Sequence, residues 1–229
     1  MENKRTEALF GKEAAGLLSE KTVMVFGAGG VGSFCIEALA RTGIGHLILI
    51  DADVFEPSNL NRQLMATTLT LNQKKVEVCK ERILSINEHC RVDAYCIFYD
   101  KTKEDELFSG PVDFVIDCID SISSKQDLIQ ACLKRKIPFL SCMGTARKKD
   151  PSQLKIMELE KTSYDPLAKR LRQWKRKEKI KEKIWVVSST EAPSFQKSDQ
   201  PLASAIFVPA SAGILLASAC VQRLISTEG

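Results

Sequence analysis

Short apolar runs alternate along this chain with longer stretches of mixed polarity. Thr22 to Phe26 is mostly apolar and ends in glycines, the pattern of a strand buried on both faces. Gly30 to Arg41 carries helix-forming residues, and Gly43 ends that pattern. His46 to Ile50 is a second apolar run, stopped by Asp51. Strand, glycine turn, helix and strand make one βαβ unit. Asp53 to Leu71 is polar and irregular, and Asn72 to Ile86 reads as helix. Arg91 to Phe98 and Phe114 to Cys118 read as the third and fourth strands. A helix over Ser123 to Lys136 and a fifth strand over Pro138 to Cys142 continue the alternation. The pattern predicts an α/β, Rossmann-like doubly wound, mostly parallel sheet.

The alternation weakens after Asp150. Gln153 to Leu159 reads as an edge strand, a late antiparallel extension of the sheet. Asp165 is placed to cap a basic helix beginning at Pro166. Trp185 to Val187 and Ala205 to Val208 read as late strands, and Ser211 to Ile225 as the final helix. Ser188 to Pro201, rich in Ser, Pro, Gln and charge, reads as a mobile loop. The expected organisation is a single domain over residues 1–229, with an N-terminal helical arm over 1–20 and a C-terminal extension over 151–229.

Composition narrows the class. Of 229 residues, 44% are hydrophobic and 27% charged, as in soluble globular proteins. Met1 to Leu18 is polar and charged, unlike a secretory signal. The apolar stretch Phe207 to Leu224 contains Gln222 and Arg223 and falls short of a transmembrane segment. A cytoplasmic location is expected. None of the eight cysteines forms a C-x-x-C pair, so neither a structural zinc site of the usual spacing nor a disulfide framework is expected. Charge is unevenly spread. Residues 169–183 hold nine Lys/Arg and two Glu in a chain whose total is only +4, so the remainder is net acidic.

The chemistry begins at Gly27-Ala28-Gly29-Gly30-Val31-Gly32, between the first strand and its helix. Glycines let backbone approach phosphate oxygens, and the helix N-terminus offers unpaired N–H groups to an anion. Asp51 ends the second strand, where an acid bonds a ribose hydroxyl. This much means a nucleotide or dinucleotide binder. Ser58-Asn59-Leu60-Asn61-Arg62-Gln63 shifts the expectation from NAD to ATP. Hydride transfer needs no cation beside the ribose, whereas adenylation releases pyrophosphate. Arg62 can fork onto triphosphate oxygens, Asn59 can donate to a phosphate or ribose, and Lys75 opens the next helix within reach. Asp120, in Asp117-Cys118-Ile119-Asp120 after the fourth strand, is suited to Mg²⁺. Singly, each has a plain reading: Arg62 in a surface ion pair, Lys75 solvated, Asp117 as a helix cap, Asn61 shaping its loop. Jointly they fall at the carboxyl ends of strands, where ligands of such sheets bind.

The run G-x-G-G-V-G, D-x-D-x-V, S-N-L-N-R-Q, K-x-E and D-x-x-D resembles the ubiquitin-activating-enzyme-like adenylyltransferases, the MoeB/ThiF/HesA group, from about Arg5 to the final helix. Within it, Arg5-Thr6-Glu7, Glu37 to Gly45, Asp150-Pro151, Asp165 to Ala168 and Ser211-Ala212-Gly213 are most similar to the branch that modifies threonylcarbamoyladenosine in tRNA. The resemblance implies that Gly27, Gly29, Gly30 and Gly32 cradle ATP and Asp51 binds ribose. It implies that Asn59, Arg62 and Lys75 line the triphosphate path and Asp120 holds Mg²⁺. It further implies a homodimer in which Arg5 reaches the neighbouring subunit's ATP site, and it leaves room for a sulfur-transfer protein as partner. The chain departs from the pattern at Met65, at Asn72 and after Met143.

The basic segment suits a tRNA substrate. Lys169, Arg170, Arg172, Lys175, Arg176 and Lys177 can follow phosphates, with Trp174 stacking on a base. The bland alternative is a solvated basic helix. Three rival functions remain at this stage. They are adenylation of a sulfur-carrier protein's C-terminal glycine, NAD(P)-dependent oxidation, and nucleotide binding without turnover.

Overall fold

The computed structural model describes residues 4–195 and 202–226. Seven strands form one sheet in the order β3-β2-β1-β4-β5-β7-β6. They are β1 (Thr22–Phe26), β2 (His46–Ile50), β3 (Arg91–Tyr95), β4 (Phe114–Asp117), β5 (Phe139–Cys142), β6 (Leu154–Glu158) and β7 (Trp185–Ser189). All neighbours pair in parallel except β6 and β7, which are antiparallel. This is the doubly wound sheet with a late antiparallel extension that the apolar runs predict. Its helices are α1 (Lys4–Phe10), α2 (Lys12–Glu20), α3 (Gly32–Thr42), α4 (Lys75–Ile86), α5 (Glu104–Leu107), α6 (Ile122–Arg135), α7 (Pro166–Lys177) and α8 (Phe207–Ile225).

Every residue of β1 is buried because both faces of the sheet are covered. The two-residue period of the strand sends alternate side chains to separate cores. Val23 and Val25 join Leu47, Leu49, Phe114 and Ile116 on one face, against α3 and α8. Met24 and Phe26 join Ile48, Ile50 and Val115 on the other, with Leu128 and Cys132 of α6. A third cluster joins Ile129 of α6 to Ala168 and Leu171 of α7 and Ile184 and Val186 around β7. That cluster attaches the C-terminal extension to the main sheet. Gly43 ends α3 in the left-handed conformation (φ 91°), as its position after Arg41 and Thr42 suggests.

Four elements differ from expectation. Phe207 and Val208 open α8 rather than end a strand. The short apolar run Ala205 to Val208 is ambiguous in period, and Pro209 sits in the first helical turn, where its missing N–H costs nothing. Ser188 and Ser189, assigned to a mobile loop, are buried in β7 and paired with β6; residues 196–201 of that loop lie outside the described residues. Strand β3 stops at Tyr95 rather than Phe98. Helix α4 begins at Lys75, because Asn72 adopts φ 64° and Lys74 is extended. That left-handed angle favours glycine and tolerates asparagine, so the departure at position 72 preserves the turn. Among the described residues, α8 alone has the length and apolarity to cross a membrane, and nine of its residues are buried in the protein.

Candidate functional site

Between β1 and β4 the strand order reverses, which opens a crevice beyond their carboxyl ends. A cleft of about 470 Å³ lies there. Gly27, Gly29 and Gly30 form one wall, Asp51, Asp53 and Lys75 a second, Asn59, Arg62 and Gln63 a third, and Cys118 to Ser121 the fourth. The structure thus brings together eight of the ten predicted site residues: Gly27, Gly29, Gly30, Asp51, Asn59, Arg62, Lys75 and Asp120.

Gly32 and Arg5 are not in the lining. A Cβ on Gly32 would stand 1.7 Å from the Gly27 carbonyl oxygen, so the glycine allows α3 to close on the turn. Gly27 has φ 90° and its own Cβ would meet the Cys118 carbonyl at 2.8 Å. Backbone from β1 and β4 therefore comes together under the cleft only without side chains. Arg5 is exposed on α1, a helix with no buried residue.

Asp51 holds two backbone amides, accepting from Ala28 N at 2.6 Å and Asp53 N at 2.8 Å. Burial raises its pKa from the usual aspartate value, while those amides and Lys75 oppose the shift. Lys75 is nearly buried, and its Nζ donates to Asp53 Oδ2 at 2.8 Å. The ammonium has further donors for phosphate oxygens. Arg62 Nη1 donates to Ser58 O at 2.8 Å and Asn61 Oδ1 at 2.9 Å, so the loop holds one edge of the guanidinium. Its remaining nitrogens lack protein partners among the described residues and are free to fork onto an anion. Asn61 also donates to Ser204 O at 2.9 Å, pinning the segment ahead of α8. Asn59 is more committed than expected. Its Oδ1 accepts from Glu56 N and its Nδ2 donates to Ser58 Oγ, which caps the turn at Pro57–Asn59 and leaves one amide hydrogen.

Asp120 is exposed at the cleft edge, and its carboxylate has no partner among the described residues. No group of three or more His, Cys, Asp or Glu suited to a metal is found among those residues. One free carboxylate beside an anion cleft fits Mg²⁺, which is commonly held by one or two carboxylates together with substrate phosphates.

Asp117 is neither cap nor ligand. Its Oδ2 lies 2.7 Å from Lys125 Nζ and accepts from Ser141 Oγ at 2.5 Å, all three being essentially inaccessible. Its Oδ1 accepts from Ile119 N at 3.0 Å, which shapes the turn carrying Asp120. Lys125 was not legible as a site residue, because a lysine on a helix ordinarily reads as solvated. Lining residues that the sequence did not single out are Phe98, Leu167 and Leu202. The buried Gln63 Oε1 has no hydrogen-bond partner among the described residues. Met65, the departure beside it, packs in the core instead. Cys118 and Cys142 line the cleft, but burial raises both thiols, Cys142 to about 12, which opposes thiolate chemistry.

The basic segment is partly turned inward. Arg172 Nη1 donates to Thr162 O at 3.0 Å, Lys175 pairs with Glu160, and Trp174 packs against the third core cluster. Lys169, Arg170, Arg176 and Lys177 remain exposed. Arg172 and Lys175 are therefore already held by protein partners, and Trp174 is turned to the core rather than to a base as expected. Helical spacing places Trp174 and Lys175, three and four residues after Leu171, on its side of the helix.

Fold and cleft define the class of α/β nucleotide-binding proteins, with Arg62 and Lys75 as cations of the cleft. The ThiF family model matches residues 3–197, and the chain belongs to the ThiF family. It is 40% identical to the tRNA threonylcarbamoyladenosine dehydratase of Bacillus subtilis, over 96% of this chain and 93% of that protein. Crystal structures of the Escherichia coli tRNA N6-threonylcarbamoyladenosine dehydratase, TcdA, superpose with TM-scores of 0.92 for its AMP complex and 0.91 for its ATP complex. Identities are 36% and 35%, and each match covers 97% of this chain and 93% of that one.

Proposed function

We propose that this protein uses ATP to adenylate the threonyl carboxylate of N6-threonylcarbamoyladenosine in tRNA and then closes the modified base into a ring. The observation that carries the proposal is the anion cleft at the strand-order switch, where Arg62, Lys75 and the unpartnered Asp120 converge. The likeness to tRNA threonylcarbamoyladenosine dehydratases across almost the whole chain supports the choice of carboxylate.

In this reading the glycine turn and the α3 N-terminus receive phosphate, and Asp51 accepts from the ribose. The threonyl carboxylate attacks the α-phosphate, the bond to the β-phosphate breaks, and pyrophosphate leaves. Arg62 and Lys75 stabilise the charge that develops on the phosphates. Mg²⁺ held at Asp120 would neutralise triphosphate charge. The carbamoyl group then attacks the acyl carbon of the adenylate, AMP departs with the former carboxylate oxygen, and the base has lost one water. The nucleophiles belong to the substrates, so the protein positions groups and stabilises charge. The raised thiols of Cys118 and Cys142 fit a route without a covalent enzyme intermediate. The proposal includes a homodimer with Arg5 completing the partner's cleft, supported by the exposure of Arg5 and the unburied face of α1. It also includes a cytoplasmic location and leaves room for a sulfur-transfer partner.

The test is AMP release from ATP with Mg²⁺, with and without tRNA carrying threonylcarbamoyladenosine, followed by nucleoside mass spectrometry. AMP release with loss of one water from the modified base is expected. AMP release without that mass change would move the acceptor to a carrier protein. No AMP in either case would refute adenylation.

A further inference from the structure

A second concavity lies at the C-terminal end of α7, away from the ATP cleft. It encloses about 270 Å³ and is lined by Arg172, Lys175, Arg176, Lys179 and Lys181, with Glu160 as its single acid. Glu160 is taken up by Lys175, and Arg172 is anchored on Thr162. The side chains of Arg176, Lys179 and Lys181 have neither ion-pair nor hydrogen-bond partners among the described residues. Three unneutralised cations therefore face one hollow.

The helix dipole does not account for this. Basic residues complement a helix C-terminus, but the effect fades within the last turn, and Lys179 and Lys181 lie beyond Lys177. The backbone here closes with Ile180 N donating to Lys175 O at 3.1 Å and Lys179 N to Arg176 O at 3.2 Å. Such a closure places one residue in the left-handed region, and that residue is Lys179, at φ 55°. Glycine is the favoured occupant there, since a Cβ is disfavoured at positive φ. Stability alone selects glycine at this position. The lysine instead brings a cation to the rim of the hollow.

We infer that this concavity is a phosphate site for the RNA backbone, in which Arg176, Lys179 and Lys181 contact tRNA phosphodiesters. Lys175 with Glu160 and Arg172 with Thr162 build its floor. The inference rests on tRNA as the substrate, and it adds where the RNA backbone runs. Leu167, near the start of α7, lines the ATP cleft. Nine residues separate it from Arg176, about 14 Å along the helix axis. At the ~3.4 Å rise of a stacked strand, that corresponds to about four nucleotides from a base held in the cleft.

Fluorescence anisotropy of labelled tRNA carrying threonylcarbamoyladenosine, titrated with the full chain at several KCl concentrations, tests it. Lys179→Gly is expected to keep or raise the melting temperature and leave ATP affinity unchanged. The slope of log K against log[KCl] is expected to fall in magnitude by about 0.7–0.9. Arg176→Gln, Lys179→Gly and Lys181→Gln combined should lower it by about 2–3. An unchanged slope in the triple variant, with wild type binding tRNA, overturns the site. If that variant also keeps tRNA-dependent AMP release, adenylation stands and only the phosphate site falls. If wild type binds through these residues yet releases no AMP, the phosphate site stands and adenylation falls. Absence of tRNA binding by wild type overturns both. Inorganic pyrophosphate added as competitor separates the two phosphate sources. Displacement of tRNA at equimolar pyrophosphate would assign the hollow to a small anion and overturn the RNA assignment.

Discussion

Lys125→Met tests the buried ion pair beneath the cleft. Methionine approximates the length of the lysine side chain but removes the charge that Asp117 faces at 2.7 Å. Asp117 would then be a buried carboxylate, 1% exposed, with Ser141 Oγ and Ile119 N as its remaining donors. Removing one partner of a buried pair destabilises by roughly 3–5 kcal/mol, and the two retained donors favour the lower end, about 3 kcal/mol. For a chain of this size that corresponds to roughly 6–12 °C in melting temperature. Urea unfolding at pH 7.5 reads the same loss as a lowered midpoint. Asp117→Leu combined with Lys125→Met should recover most of the loss, because two apolar residues of similar volume can replace a buried pair. A deficit below about 1 kcal/mol at pH 7.5, or a double variant no more stable than Lys125→Met alone, would refute the assignment of the pair as a buried, mutually dependent unit.

Other substitutions probe the cleft and its frame. Arg62→Ala should lower tRNA-dependent AMP formation by about 10²–10³-fold with little change in melting temperature, measured by steady-state kinetics. An equal loss of stability would mean that the arginine holds its loop rather than the phosphates. Gly32→Ala should destabilise by about 3 kcal/mol and weaken ATP binding, since its Cβ would stand 1.7 Å from the Gly27 carbonyl. Isothermal titration and thermal melting would read both effects. Glu37 ties α3 to α4 through Arg82 and also holds Arg41. Burial works against its charge, but the two arginines keep its pKa below the usual glutamate value. Its contribution is present above the unfolded glutamate pKa and is lost as pH falls through the lowered one. Glu37→Gln should therefore cost stability at pH 7 and progressively less below pH ~4, traced by denaturant midpoints against pH.

The parallel core was legible because strands buried on both faces are apolar without interruption, as in β1 and β2. The glycine turn was legible because its conformational demand admits few residues. The extension was harder to read. Ala205 to Val208 is too short for its period to separate strand from helix, and the packing of α8 on α3 decides it. Ser188 and Ser189 read as loop by composition, yet their pairing with β6 buries them.

Local sequence was sufficient for most of the elements, the sheet class, the glycine turn and most of the cleft wall, because those follow from periodicity and from backbone geometry confined to a few neighbouring residues. Only the tertiary structure decided which charges are spent inside the protein. Lys125 and Lys175 carry the same group as Lys179 and Lys181, and nothing local distinguishes them. Burial against Asp117 and Glu160 commits the first two to the frame. The other two are left facing a hollow. Charge neutralisation depends on residues distant in sequence, and it is settled only when the chain packs.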